Sequence, residues 1–314
     1  MRIAELESKI RDRINRGRKQ HELLGRAADW NKLCSALDIV GDTEVAFYSY
    51  LKQSRIEDAG LCYLQVYGAL QLLQTQQDAV AHICSAFGIK ARNSPKLPHI
   101  REIRSNSVAH PAAQKEDKTT KSNFIVRTSL TQHGFTLMSV YSDETPYSQS
   151  HVSIPSLIAE QREALRGVLE EVLAKIDEAE MKHRSEHRDE KLQGVFPDVL
   201  PYYFGKISEA IHNSTYFPIG GRYVDLVTEC LTRLKQLLEK RGEWGIYDSV
   251  NYEYELLEYP LAELKSFFAD RVTSKLNAKD AYIFCAFVRE QLKTLQEIAR
   301  ELDEEYAKGP TNEG

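Results

Sequence analysis

The sequence lacks any apolar run of the roughly 18 residues that a membrane-spanning helix needs. It also lacks the apolar stretch of a signal peptide at its N-terminus, so we expect a cytoplasmic protein without membrane contact. We find no phosphate-binding P-loop, nucleophile elbow or dinucleotide fingerprint, which argues against three common enzyme classes. The net charge of −5 excludes a strong overall attraction to nucleic acid. Any contact with nucleic acid must therefore use a local basic patch.

Cysteine is also scarce, and its spacing argues against a metal centre. The five cysteines are odd in number and far apart, and most lie in apolar runs such as IFCAF. No pair has the spacing of metal ligands. We therefore expect buried free thiols in a reducing compartment, and neither a metal nor a cofactor. The cysteines are Cys34, Cys62, Cys84, Cys230 and Cys285.

Apolar residues recur at steps of three and four along most of the chain, which is the period of amphipathic α-helices. The clearest stripe, from Cys62 to Phe87, ends at Gly88, a residue typical of helix C-termini. Gln77 falls on this otherwise apolar stripe. A further long helix starts near residue 153 and gives way to a charged run after residue 181. The helix with the clearest stripe is predicted over residues 56–87. The other predicted helices cover residues 2–24, 27–38, 43–54, 97–110, 197–214, 221–241, 252–273 and 278–307.

Only one region changes to the alternating pattern of β-strands. NFIVRTSLTQ and FTLMSVYS are rich in β-branched and aromatic residues, and His133-Gly134 between them is typical of a turn. We predict a β-hairpin over about 123–142, packed on the helices. The polar stretch before it, AAQKEDKTTKS, is predicted to be a loop.

The fold class is therefore predicted to be mainly α, with an inserted hairpin and three parts along the chain. An N-terminal basic helical segment covers residues 1–39. A helical domain with the hairpin follows over 40–190, and a C-terminal helical domain covers 195–314.

The segment Leu97–Pro111, LPHIREIRSNSVAHP, places Arg104 and His110 at the end of a short predicted helix. Arginine holds a phosphate through a fixed fork of donors, and histidine can accept the proton of a ribose 2′-hydroxyl near neutral pH. With 21 arginines and 9 histidines, about two pairs at spacings of five to seven are expected by chance. Only this pair directly follows a long apolar helix, with an asparagine inside it and a proline after it. The other three pairs are Arg16 with His21, Arg92 with His99, and Arg127 with His133.

This segment resembles the R-x(4–6)-H motif of HEPN domains, a helical family that includes many metal-independent ribonucleases. The resemblance covers about residues 40–180, through YLQVYGALQLLQTQQDAV, RSNSVAHP, FIVRTSL and FTLMSVYS. It implies that Arg104 stabilises a phosphorane-like transition state and that His110 activates the 2′-hydroxyl. Asn106 is then expected to position the histidine or the phosphate.

The resemblance also implies partners. RNA is the expected substrate, with Arg101 and Ser105 as substrate-binding residues, and a homodimer is expected to form a composite site. The resemblance further implies a role in a toxin–antitoxin, antiphage or RNA-processing system, with an antitoxin or another protein as a possible partner. Many HEPN ribonucleases carry Asn, Asp or His directly after the arginine. Here that position is Ser105, and Asn106 follows one residue later.

Helix geometry constrains how Arg104 and His110 meet. Six residues at 100° each leave the two side chains about 120° apart on an ideal α-helix. A site therefore needs His110 beyond the regular helix, which Pro111 favours, or a second copy of the motif from another subunit. The alternative without a site is a helix-capping histidine and a surface arginine.

Other polar clusters have a structural interpretation beside the functional one. Arg101 binds either phosphate or a carboxylate, and Gln77 with Asp78 faces the motif helix or belongs to a polar layer. The basic first helix either steers RNA or packs on the body of the protein. A tyrosine cluster either stacks bases or packs between helices, and two histidines four apart bind metal or lie on a charged surface. These are Tyr247, Tyr252, Tyr254 and Tyr259, and His183 and His187.

Three hypotheses follow. The first is a metal-independent endoribonuclease of the HEPN type that leaves a 2′,3′-cyclic phosphate and a 5′-hydroxyl. The second is a non-catalytic HEPN-like module that binds RNA, a nucleotide or a protein. The third is a helical interaction protein whose C-terminal domain is its docking surface.

Overall fold

The computed structural model describes residues 1–24, 27–89, 95–109, 114–116, 119–143, 145–270 and 274–307. It is mainly helical, as predicted. The chain divides into two compact units, Met1–Asp177 and Glu178–Gly314. The sequence places its boundaries elsewhere, after residue 39 and between 190 and 195, and the N-terminal segment lies within the first unit.

The first unit is a helical bundle with a small sheet. Two stretches of this unit form helices with bounds that differ from the prediction. Residues 2–24 form two helices, because the first ends at the cap residue Asn15. The helices predicted over 27–38 and 43–54 form one, because the Thr43 hydroxyl donates back to the Ile39 carbonyl at 2.8 Å inside a continuous helix. The helices are α1 (Ile3–Ile14), α2 (Gly17–Leu24), α3 (Ala27–Lys52), α4 (Ala59–Ala86), α5 (Lys96–Arg104) and α6 (Ile154–His187), whose last residues belong to the second unit.

Both ends of α4 are defined by local chemistry. The Asp58 side chain accepts a hydrogen bond from the Leu61 backbone N–H at 2.8 Å, which caps the first turn. At the other end Gly88 adopts a positive φ of 62°. The Ile89 N–H then donates to the Cys84 carbonyl at 2.9 Å, which closes a Schellman motif. The predicted stop at Gly88 is confirmed.

The predicted hairpin is the centre of a larger sheet. Four antiparallel strands lie in the order β1-β2-β3-β4. The β2–β3 pair matches the prediction, but the segment predicted as a loop contains β1 and the start of β2. Edge strands pair through their backbone and tolerate lysine, so they carry little apolar signal. The strands are β1 (Gln114–Glu116), β2 (Thr119–Ile125), β3 (Gly134–Tyr141) and β4 (Ser148–Ser153).

The turn before β3 requires a glycine because β4 approaches it closely. A Cβ atom at Gly134 would lie 2.2 Å from the Val152 carbonyl oxygen. The sheet packs on the helices, as expected, because Phe135 and Leu137 of β3 are buried in one cluster with Phe47 and Leu70. A second cluster joins α1, α3, α4 and α6, and it buries Ile3, Leu6, Ile10 and Ile14 of α1.

The second unit has one core among four helices that follow the sequence prediction in order. They begin and end within a few residues of the predicted bounds. Gly242 has a positive φ of 66° and ends the second of them, as expected. The helices are α7 (Leu200–His212), α8 (Phe217–Lys240), α9 (Asp248–Ala269) and α10 (Ala278–Ala307).

Candidate functional site

The segment that carries the arginine–histidine motif changes from α to π geometry within the motif. The α-helix α5 ends at Arg104, and Ser105–Ala109 form a π-helix. Such short π segments are rare and are found frequently at functional sites. The expected angle of about 120° between Arg104 and His110 assumes α geometry throughout, so it does not apply here. His110 and Pro111 lie outside the described residues.

The π-helix turns two small polar side chains into the interior. Asn106 is 6% exposed and Ser107 is 2% exposed. The Ser107 hydroxyl oxygen has no hydrogen-bond partner among the described residues. A buried hydroxyl without a hydrogen-bond partner raises the free energy of the folded state. Packing alone therefore does not favour Ser107 at this position.

Arg104 is half-buried and is held by α4. One terminal nitrogen, Nη2, donates to Gln71 Oε1 at 2.8 Å. The Nε atom is buried and has no partner in the part of the chain that the structure describes. The guanidinium is therefore oriented by one neutral amide and forms no ion pair with a carboxylate among the described residues.

Arg101 lies one turn earlier and has a different environment. Its Nε donates to Gln77 Oε1 and its Nη2 donates to Asp78 Oδ1, both at 2.7 Å. The ion pair with Asp78 is about half exposed. The carboxylate alternative is thus the one that the structure has, and substrate binding by Arg101 stays a prediction.

Gln77 belongs to a buried polar layer that crosses the bundle from α5 to α3. Gln77 Nε2 donates to Gln161 Oε1 at 2.7 Å, and Gln161 Nε2 donates to Gln76 Oε1 at 2.8 Å. Gln76 Nε2 then donates to Glu44 at 2.9 Å, and Arg162 pairs with the same carboxylate. The two expectations for Gln77 therefore describe one arrangement, because this residue both contacts the motif helix and belongs to a polar layer.

Two residues of the candidate site were not identified from the sequence. Gln71 is an exposed glutamine on α4, and nothing in its pattern marks it. Gln161 is fully buried and lies on the apolar stripe of α6, one turn from Ile158 and from Leu165. A glutamine on an apolar stripe is the same signal that marks Gln77 and could have been used.

The basic first helix packs on the body of the first unit, which is the structural alternative. Its apolar stripe is buried, and its arginines form ion pairs with acidic residues. Arg11 contacts Asp38 at 2.9 Å, and Arg13 contacts Asp177 at 2.7 Å.

The four tyrosines of the predicted cluster do not form one stacking surface. Tyr254 packs edge-on against Trp244 at 4.9 Å between ring centroids, and Tyr247 is half-buried beside Glu243. Tyr252 and Tyr259 are exposed.

The His183 and His187 rings are 4.8 Å apart, and His183 contacts the Arg241 carbonyl at 2.9 Å. No group of three or more metal-ligating side chains occurs among the described residues.

Within those residues, no helix is long and apolar enough to cross a bilayer.

Fold and site together define a mainly α-helical protein with a four-stranded antiparallel sheet and an arginine at an α-to-π transition. Comparisons with protein family models, with curated proteins and with solved structures found no match. The resemblance to HEPN domains therefore remains a prediction from the sequence motif and from the segments around it.

Proposed function

We propose that the chain is a metal-independent endoribonuclease of the HEPN type. The observation that carries this proposal is Arg104, placed at the start of a π-helix, half-buried, held by Gln71 through Nη2 alone and without a carboxylate partner among the described residues. An arginine with unused donors is suited to bind a phosphate oxygen.

The chemistry requires one base, one acid and stabilisation of the phosphate. The ribose 2′-oxygen attacks phosphorus and passes its proton to His110, and the bond from phosphorus to the 5′-oxygen breaks. The leaving 5′-oxygen takes a proton from the second histidine of a dimer or from water, which leaves a 2′,3′-cyclic phosphate and a 5′-hydroxyl. Arg104 stabilises the charge that builds on the phosphate oxygens, and Asn106 positions the histidine or the phosphate.

The charge distribution supports RNA binding by the first unit. Residues 1–177 carry 23 Lys and Arg against 21 Asp and Glu, a net charge of +2. Residues 178–314 carry 18 against 25, a net charge of −7. A polyanion is therefore repelled less by the unit that contains Arg104 than by the other unit. An antitoxin or another protein partner of a toxin or antiphage system belongs to the same proposal.

The test is cleavage of mixed RNA by the full-length protein in excess EDTA. We expect cleavage by the wild type and a loss of at least about a hundredfold in Arg104→Ala and His110→Ala, the size of loss when one charge-stabilising donor is removed. Arg127→Ala and His133→Ala are matched controls, because this pair has the same spacing and belongs to the same unit. RNA with a 2′-deoxy residue at the cleaved position should stay intact.

A second candidate is a non-catalytic module that binds RNA, a nucleotide or a protein. The observation that favours it is the use of Arg101 in an ion pair with Asp78 within the bundle. Saturable RNA binding that Arg104→Ala weakens, without cleavage by any variant, would select this candidate. Cleavage that Arg104→Ala leaves intact would reject the assigned site.

A further inference from the structure

A cavity of about 910 Å³ in the second unit lies apart from the arginine–histidine motif. It forms where the 3₁₀ turn Gln193–Val195, the start of α7 and the middle of α10 meet. Its volume lies within the range of about 300–1,000 Å³ that is typical of small-molecule sites. The proposed ribonuclease chemistry does not use any residue that lines it.

One face of α10 supplies cationic and amide groups to the cavity. Arg289, Lys293 and Gln296 are spaced by four and three residues, so they lie on one helix face. Lys191 adds a third cation from the segment before the 3₁₀ turn.

The carboxylates near these cations do not cancel them. Glu290 contacts Arg289 at 3.2 Å and Lys293 at 3.0 Å, and Asp198 lines the cavity. Three of the side chains that line the cavity are cationic and one, Asp198, is anionic, in a unit whose net charge is −7. Charges farther away than about 8 Å are largely screened at physiological salt. The local charge therefore favours an anionic ligand here.

The inner wall of the cavity is apolar. Pro197 and Pro201 line it with side chains that are partly or fully exposed, and Phe196, Leu200 and Phe204 lie at its base as core residues with at most 7% exposure. A ligand that fits this cavity needs an anionic end for the rim and a flat apolar part for the wall. The side-chain amides of Gln193 and Gln296 offer donors and acceptors to polar edges of that flat part.

The segment that forms one side of the cavity is held in place by Asp303. Its carboxylate accepts hydrogen bonds from the Leu192 N–H at 3.0 Å and from the Gln193 N–H at 2.9 Å. Arg241 Nη2 donates to the same carboxylate at 3.0 Å. A segment fixed in this way loses little conformational freedom when a ligand binds.

From these observations we infer that the cavity of the second unit binds a nucleoside phosphate. The base lies against the Pro197 and Pro201 wall, and the phosphates contact Arg289, Lys293 and Lys191. Such binding is independent of RNA cleavage, so it stands or falls separately from the ribonuclease proposal.

The experiment is calorimetric titration of the full-length protein, in EDTA, with the four ribonucleoside triphosphates, with inorganic phosphate and with the free nucleosides. We expect saturable binding of at least one triphosphate, and binding at least tenfold weaker for its nucleoside and for inorganic phosphate. The double variant Arg289→Ala with Lys293→Ala should weaken triphosphate binding at least tenfold. Arg300→Ala is the matched control, an exposed arginine on the same helix that does not line the cavity.

A second variant tests the cavity without changing charge. A Cβ atom at Gly194 would meet nothing within 4 Å, and this residue lines the cavity, so Gly194→Leu should fold and fill the space. We expect it to abolish binding. Failure of every triphosphate to bind, or equal affinity for inorganic phosphate or for the free nucleoside, overturns the inference. Unchanged binding in both the double variant and Gly194→Leu moves the ligand away from this cavity.

Discussion

Arg241 has a cationic side chain that is almost fully buried in the second unit. The side chain is 1% exposed, its Nη2 lies 3.0 Å from Asp303 Oδ1, and its guanidinium lies 4.5 Å from the Tyr306 ring. Its Nε and Nη1 atoms have no hydrogen-bond partner among the described residues. A buried cation of this kind is retained only where its partners offset the cost of removing it from water. Arg241 thus links the end of α8 to α10.

We predict that Arg241→Ala lowers the free energy of unfolding by about 3–5 kcal/mol, because Asp303 is left as a buried charge without its cation. Lys240→Ala removes an exposed ion pair with Glu190 and should cost less than about 1 kcal/mol. Urea unfolding followed by tryptophan fluorescence measures both. A Trp30→Phe background leaves Trp244 as the reporter of the second unit, since the chain has two tryptophans. Equal losses in the two variants would contradict this account.

Cys84 gives a prediction for alkaline pH. Burial raises the pKa of its thiol to about 11 from an ordinary value near 9. A raised pKa stabilises the fold below pH 9, and this contribution is lost as the pH rises toward 11. The stability advantage of the wild type over Cys84→Ala should therefore shrink by about 2–3 kcal/mol between pH 8 and pH 11. Denaturant unfolding of both proteins across this range checks it, and a constant difference would argue against a buried neutral thiol.

At the scale of elements, the sequence predicts helices well where their signals are local. The stop of α4 at Gly88 follows from one glycine, whereas the break predicted between residues 38 and 43 is wrong, because α3 continues through Gly41, Asp42 and Thr43. The Thr43 hydroxyl bonds within the helix instead. The local sequence does not show whether such a hydroxyl bonds within a helix or caps the end of one. Tertiary packing of the apolar stripe on both sides decides between the two.

The candidate site is predictable from the sequence only where its features are local. The spacing of Arg104 and His110 is visible in the sequence, but the π-helix between them is not, because π segments are rare and the apolar period predicts α geometry here. The edge strands β1 and β4 are also missed, because backbone pairing needs no apolar side chain. The roles of Gln71 and Gln161 depend on partners far along the chain, Arg104 and Gln77.

The polar layer makes a prediction about the position of α5. Gln161 is fully buried and bonds to Gln76, to Gln77 and to the Leu73 carbonyl, so Gln161→Ala leaves several buried groups without a partner. We expect a loss of about 1–3 kcal/mol in unfolding free energy, because each unsatisfied buried group costs that order. RNA cleavage should fall as well, since Gln77 holds Arg101 of α5. Glu170→Ala, at an exposed position of the same helix, is the control and should change neither quantity.

At the scale of the whole molecule, the two proposals place their ligands in units of opposite charge. The first unit, with a net charge of +2, is assigned the polyanion, and the second, with −7, is assigned a small anion in a cavity of local positive charge. A polyanion samples the potential of a whole surface, whereas a small ligand senses groups within about one Debye length. The same electrostatics therefore allows both assignments.

The composite site makes a prediction about assembly. A homodimer of Arg104→Ala has no Arg104 guanidinium, and a homodimer of His110→Ala has no His110 imidazole, but a mixed dimer has one of each. If the two motifs form a shared cleft in which one His110 is the base and water supplies the proton to the leaving oxygen, co-expression of the two inactive variants should restore cleavage. Random pairing makes about half of the dimers mixed. The recovered activity should therefore not exceed about half of the wild-type value. Differently tagged subunits, purified on both tags in sequence, isolate the mixed species for the assay.

The complementation separates the arrangements that the motif geometry leaves open. A site complete within one chain needs Arg104 and His110 together, so the mixed dimer stays inactive while the wild type keeps its activity on dilution. A shared site that uses both histidines also gives an inactive mixed dimer, but its wild-type activity is lost on dilution. A site built across two chains recovers activity only in the mixed species, and dilution below the dimer dissociation constant abolishes cleavage by the wild type. An active wild-type monomer, identified by light scattering at the assay concentration, rules out the composite site and places both groups of the reaction within a single motif.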